Sequence, residues 1–223
     1  IRCGKEGKTR SSLPLRGLLV VSINHLERRT NMRVIVEGLM GVGKSTFVEV
    51  AQEHWGLQPL FESVDDNPFL EKYYADPQRW AYTVQMYFLY DRFQKHLPDQ
   101  TILDRSLYGD LGFASIQLQD GYMTQEEYDC YLKHSSILMR QIEAPDICLH
   151  LDIDPDEALH RISKRGRGYE SSIPRSYLES LHTELEKLPS QLPSSTRYVK
   201  LDWVDMNPNQ IVSKVKDLSD LVL

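Results

Sequence analysis

From residue 33 onward, short apolar runs alternate with longer amphipathic stretches, the pattern of βα units stacked around a parallel sheet. Arg33 to Glu37 reads as a buried first strand, followed by a glycine loop and a helix over Lys44 to Trp55. Leu60-Phe61 reads as a short second strand ending at Glu62, and Thr101-Ile102-Leu103 as a third ending at Asp104. Ile147 to Leu151 is a further apolar run ending at Asp152, and Arg197 to Leu201 is a last strand. Asp76-Pro77 opens a long helix, with Asp as N-cap and Pro at the first helical position. Its Trp80, Val84, Tyr87 and Phe88 recur at helical spacing until the stripe breaks at Asp91. Trp80, Val84 and Phe88 are assigned to core packing, the usual fate of such a stripe. Asp154-Pro155-Asp156-Glu157 starts another helix with a capping-box pattern, which Gly166 stops. No internal repeat, low-complexity tract or long linker divides the chain. One α/β domain with a parallel sheet flanked by helices is the expected architecture.

Composition agrees. A chain of 223 residues, 41% hydrophobic and 26% charged, is neither disordered nor a membrane protein by default. Its net charge of −6 argues against a general nucleic-acid-binding surface. Three cysteines, Cys3, Cys130 and Cys148, lack CxxC spacing, so a disulfide framework or zinc site is not expected and a cytoplasmic setting is. Charge is uneven: residues 1–31 hold seven basic and two acidic side chains, +5, which leaves −11 for the remainder. Leu18 to Val21 is too short to span a bilayer. Residues 1–31 are read as a basic extension, disordered or non-native, and residues 32–223 as the functional domain beginning near Met32.

Gly38-Leu39-Met40-Gly41-Val42-Gly43-Lys44-Ser45 fits G-x-x-x-x-G-K-[ST], with a strand before it and helix formers after it. Such a loop turns backbone amides toward phosphate oxygens at a helix N-terminus. Gly38, Met40, Gly41, Val42, Gly43, Lys44, Ser45 and Thr46 therefore form the expected triphosphate cradle. Lys44 is placed on the outer phosphates and Ser45 on Mg²⁺. No Asn-Lys-x-Asp for guanine recognition occurs, so the kinases of small metabolites remain.

The residues beyond the loop narrow the field. Phe61-Glu62 closes the second strand and Asp104-Arg105-Ser106 the third; Arg161, Arg165 and Arg167 crowd a helix end before Glu170. Together these motifs resemble the deoxynucleoside kinase family, from about Met32 to Pro189. The resemblance implies a P-loop kinase fold with an arginine-rich lid, ATP as phosphate donor, Mg²⁺, a homodimer and a role in nucleotide salvage. It makes Glu62 the general base for the 5′-hydroxyl, although Ser63 follows where the family often has proline. It places Arg105 beside that base and the phosphates, and puts Arg161, Arg165 and Arg167 in the lid. Asp104, at the end of an apolar strand, is a second Mg²⁺ candidate beside Ser45. Lys164 is an optional helper.

For the substrate, Gln85 and Arg92 are seven apart on the long helix and share nearly one stripe. The resemblance gives Gln85 the base edge and pairs Arg92 with Asp110. Phe113, three residues after Asp110, becomes the stacking ring, while Tyr74 and Glu170 hold the deoxyribose 3′-hydroxyl. The Arg92/Asp110 pair favours deoxyadenosine, deoxycytidine or deoxyguanosine over thymidine, and Gly109 leaves room for a purine. A nucleoside monophosphate kinase such as thymidylate kinase is the alternative. A non-catalytic nucleotide-binding module is disfavoured because Lys44, Ser45, Glu62 and Arg105 are all present.

Overall fold

Five parallel strands run in the order β2-β3-β1-β4-β5, with helices packed around them. The computed structural model describes residues 31–64, 66–96, 98–166, 170, 173–204 and 206–222. The expected basic extension lies outside these residues as far as Thr30, and so does Arg167. The strands are β1 (Arg33–Gly38), β2 (Gln58–Leu60), β3 (Thr101–Asp104), β4 (Ile147–Asp152) and β5 (Arg197–Asp202). Between β1 and β3 come α1 (Lys44–Trp55), α2 (Leu70–Ala75) and α3 (Pro77–Lys95). Two helices, α4 (Leu107–Gln119) and α5 (Gln125–Met139), precede β4; α6 (Pro155–Arg165), α7 (Arg175–Leu185) and α8 (Leu188–Gln191) precede β5. The chain closes with α9 (Pro208–Asp217) and α10 (Ser219–Val222).

Central position explains the composition of β1. Val34 lies opposite both Ile102 and Ile147, and Val34, Ile35 and Val36 are fully buried. A strand covered on both faces reads as a continuous apolar run, which is why it was legible. The main core gathers around this sheet, with Phe47 edge-on to Trp55 and Trp203 beneath α1 and α9. A smaller core of Leu89, Leu107, Ala114 and Tyr131 joins α3, α4 and α5. No helix among the described residues is long and apolar enough to cross a membrane.

Three expectations need correction. The second strand, expected over Leu60-Phe61 with its end at Glu62, runs instead from Gln58 to Leu60, and Phe61 is 37% exposed. Its pairing with β3 stops at Leu60 opposite Leu103, although β3 itself continues to Asp104. The buried face of α3 carries Ala81, Val84, Gln85, Leu89 and Arg92, so Val84 of the expected stripe is core while Trp80 and Phe88 are only partly buried. Trp80 is half-buried and stacks on Phe69, while Val84 and Phe88 face a cavity. At α6 only half of the capping box forms: Asp154 caps Asp156, but Glu157 pairs with Arg161 instead of returning to the cap. Complete boxes occur at α5, through Thr124 and Glu127, and at α9, through Asn207 and Gln210. The hydrophobic pattern predicts neither these helices nor α2, α4 and α7.

Candidate active site

β1, β2 and β3 all deliver their carboxyl ends to one edge of the sheet, where an open α/β fold binds ligands. A cavity of about 300 Å³ opens there. On its phosphate side, Gly38 turns the chain at φ 147°, and any Cβ at that position would lie 2.4 Å from the Leu151 carbonyl oxygen. Glycine is thus required for β1 to leave the sheet beside β4. Gly43, also left-handed, opens α1 and places Lys44 in its first turn. The Lys44 ammonium folds back on the loop, donating to the carbonyls of Leu39 at 2.9 Å and Gly38 at 3.3 Å. Burial, and then the neighbouring Arg105, lower its pKa to about 8. Ser45 Oγ donates to Asp104 Oδ2 at 2.5 Å, while the buried Asp104 Oδ1 has no partner. A hydroxyl and a carboxylate oxygen left unmatched form the oxygen-rich donor set that a hard divalent cation takes.

Glu62 stands in the middle of the cavity wall. Arg92 pairs with its Oε1, and Arg105 Nε donates to its Oε2 at 3.2 Å. Burial pushes the Glu62 carboxyl up, but Arg92 and then Arg105 outweigh it and hold the group below the usual carboxylate range. The loop that follows is braced by Ser63, which donates to Asp91 at 3.0 Å and accepts from Lys95 at 2.7 Å. A proline here could make neither bond. These contacts also account for the polar break at Asp91 in the α3 stripe.

Arg92 continues the chain of charge. It pairs with Asp110 Oδ1, and the Tyr131 hydroxyl donates to Asp110 Oδ2 at 2.8 Å. Burial lowers the pKa of Arg92, but Asp110 and Glu62 more than reverse this, so the guanidinium stays charged. Gln85 donates to the Asp110 carbonyl at 3.3 Å. Phe113 faces the same cavity with the Arg105 guanidinium 4.6 Å from its ring centre. Tyr74, Arg165 and Glu170 complete the opposite wall, and Arg165 donates to Glu170 at 2.5 Å. Arg161 points to the phosphate loop itself, donating to the Val42 carbonyl at 3.1 Å, whereas Lys164 is exposed.

Several lining residues escaped the sequence reading. Tyr131 lies on a helix not drawn, and its hydroxyl is the second partner of Asp110. Tyr73 and Gln117 bond one another across the cavity wall at 2.8 and 3.1 Å. Only the Thr124-x-x-Glu127 box ahead of Tyr131 could have announced its helix. Gly109 is a correction: it faces the Glu37 carboxylate, not the space for a base.

Comparison with known proteins gives the family. The family model described as "Deoxynucleoside kinase" matches residues 34–222. A deoxyguanosine kinase of Lactobacillus johnsonii is 32% identical over 208 residues, covering 83% of this chain and 93% of that protein. A deoxyadenosine/deoxycytidine kinase of Bacillus subtilis is 36% identical over 167 residues, covering 70% of this chain and 76% of that one. Among solved structures, a deoxyadenosine kinase from M. mycoides with dCMP and dCDP bound superposes with a TM-score of 0.76. It is 27% identical, across 85% of this chain and all of the other. The fold is that of the P-loop kinases, an ATP-using class of phosphotransferases. This chain belongs to the deoxynucleoside kinase family.

Proposed function

We propose that Glu62 is the general base of a 5′-kinase whose preferred substrates are deoxyadenosine, deoxycytidine or deoxyguanosine. The single observation that carries this reading is the position of Glu62, held by Arg105 on the phosphate side and by Arg92 on the Asp110 side. The substrate 5′-oxygen attacks the γ-phosphorus of ATP, the bond to the bridging β–γ oxygen breaks, and ADP departs. Glu62 accepts the hydroxyl proton. Its lowered pKa keeps it ionised at neutral pH, and phosphoryl transfer asks more for placement and charge neutralisation than for a strong base. Lys44, Arg105, Arg161, Arg165 and Arg167 are assigned to the phosphates. Gly38, Met40, Gly41, Val42, Gly43, Ser45 and Thr46 are assigned to the cradle.

Ser45 and Asp104 are the residues that would hold Mg²⁺, which neutralises phosphate charge when bound. Gln85 and the Arg92/Asp110 pair read the base edge, Phe113 stacks on it, and Tyr74 and Glu170 take the 3′-hydroxyl. The named substrates of the two bacterial relatives support the base preference. A homodimer belongs to the same reading; Tyr90 on α3 and Ile137 on α5 are 60% and 52% exposed. A solution mass of twice 25.9 kDa is the expected result. We place the enzyme in the cytoplasm, where the free Cys130 and Cys148 stay reduced.

The test is a product assay with Mg-ATP against the four deoxynucleosides and thymidine monophosphate. Conversion of dA, dC or dG with thymidine poor is expected. Thymidine as best substrate would overturn the Arg92/Asp110 reading. Glu62→Ala should cut turnover by about 10²–10⁴-fold with ATP binding retained, and near-normal turnover would remove Glu62 from the role of base.

A further inference from the structure

Glu37 is a carboxylate that the reaction scheme does not use. It is the fifth residue of β1 and is fully buried. Its Oε1 accepts twice from one residue, from the Ser106 backbone N–H at 2.8 Å and from Ser106 Oγ at 2.5 Å. Its Oε2 has no hydrogen-bond partner. Ser106 in turn caps α4, accepting from the N–H groups of Tyr108 and Gly109 at 3.1 and 3.4 Å. The first turn of α4 sits directly on the carboxylate, since a Cβ at Gly109 would lie 2.3 Å from Glu37 Oε2.

Between the fixed strand end at Asp104 and the fixed Ser106 stands Arg105. Its N–H donates to the Val36 carbonyl at 3.0 Å, and its φ is 72°. Residues with a Cβ rarely adopt this left-handed backbone, and such strain persists only where neighbours over-determine it. From that backbone the Arg105 side chain reaches both Glu62 Oε2, at 3.2 Å, and the Gly38 carbonyl, at 3.3 Å. An ordinary right-handed or extended backbone at Arg105 would aim the guanidinium elsewhere.

We infer that Glu37 is a positioning residue for phosphoryl transfer: by clamping Ser106 it holds Arg105 in the left-handed conformation that places the guanidinium between Glu62 and the phosphate loop. The inference rests on the reading of Arg105 as the cation beside the base. Acceptance, not charge, is what the clamp needs. Burial raises the Glu37 pKa, with Arg105 the leading opposing influence, and a glutamine can present the same acceptor to Ser106.

The experiment is steady-state kinetics with Mg-ATP and the best deoxynucleoside, on variants checked for folding by circular dichroism and thermal midpoint. Glu37→Ala should lower kcat by about 10²-fold with both KM values within about threefold of wild type. Glu37→Gln should restore kcat to within about threefold of wild type. In an Arg105→Ala background, Glu37→Ala should change kcat no further, because the two residues act as a unit. Wild-type kcat in Glu37→Ala, equal damage from Glu37→Gln, or multiplicative losses in the double variant would each overturn the inference. Arg105→Ala with wild-type turnover would instead sink the reading of Arg105, so the two failures are separable. If Glu37→Ala does not fold, Gly109→Ala displaces the same carboxylate from the other side and should show the same kcat loss and the same epistasis.

Discussion

At the phosphate end of the cavity, the contacts come from backbone turns at strand ends: Gly38, the amides of the loop, and the carbonyls that receive Lys44. At the opposite end the wall is made mostly of side chains, Gln85 and Arg92 from α3, Asp110 from α4 and Tyr131 from α5, with the Asp110 carbonyl accepting from Gln85. On the proposed reading the first end takes the triphosphate, and every triphosphate presents the same oxygens to the backbone. On the same reading the second varies more readily, because most of its contacts are between side chains of three helices. A family can therefore keep one chemistry and vary the base it accepts. Glu62, held by one arginine from each end, is where the two meet.

Breaking the base end should cost most in stability. Arg92→Ala leaves Asp110 buried without its cation, a loss of about 3–5 kcal/mol. A drop in thermal midpoint of roughly 10 °C is expected by calorimetry. Breaking the phosphate end should spare the fold and remove the chemistry. Lys44→Ala should lower kcat by about 10²–10³-fold, read by product assay at saturating Mg-ATP, with the thermal midpoint unchanged or higher. The reason is that burial already lowers the Lys44 pKa, so the charge costs the folded state when no phosphate is present.

Smaller changes sharpen the contrast. Tyr131→Phe removes one hydrogen bond and leaves Asp110 Oδ2 unmatched, for about 1–3 kcal/mol. It should raise the nucleoside KM and alter the order of preferred bases while the KM for ATP stays put. The pH profile probes the phosphate end alone. Lys44 of the free enzyme carries its proton below pH 8 and loses it above, because its pKa is lowered to about 8. The kcat/KM for ATP should therefore fall above that value, approaching tenfold per pH unit, and Lys44→Arg should abolish the decline.

The phosphate end was legible because its determinants are contiguous. Gly38 to Ser45 is one run of sequence, and Asp104-Arg105 is one dipeptide after an apolar strand. The base end was legible only in part. Gln85, Arg92 and Asp110 came forward through a resemblance, whereas periodicity pointed to the Trp80–Val84–Phe88 stripe as core. The buried face of α3 sets Gln85 and Arg92 among Ala81, Val84 and Leu89, so its inward side is only partly apolar. Hydrophobic periodicity cannot find a face that a helix buries for its charges. Tyr131, on a helix with only a capping box to announce it, stayed hidden for the same reason.

Alternation of apolar runs, glycine spacing and helix caps were enough by themselves to establish a parallel α/β sheet with a phosphate loop, because each is a local property of the chain. Folding alone decided which charges face one another. Arg92 meets Glu62 from 30 residues away, and Glu37 meets Ser106 across 69. Such pairs form only once the sheet order is set, since burial is what makes an unmatched carboxylate or guanidinium costly enough to require a particular partner.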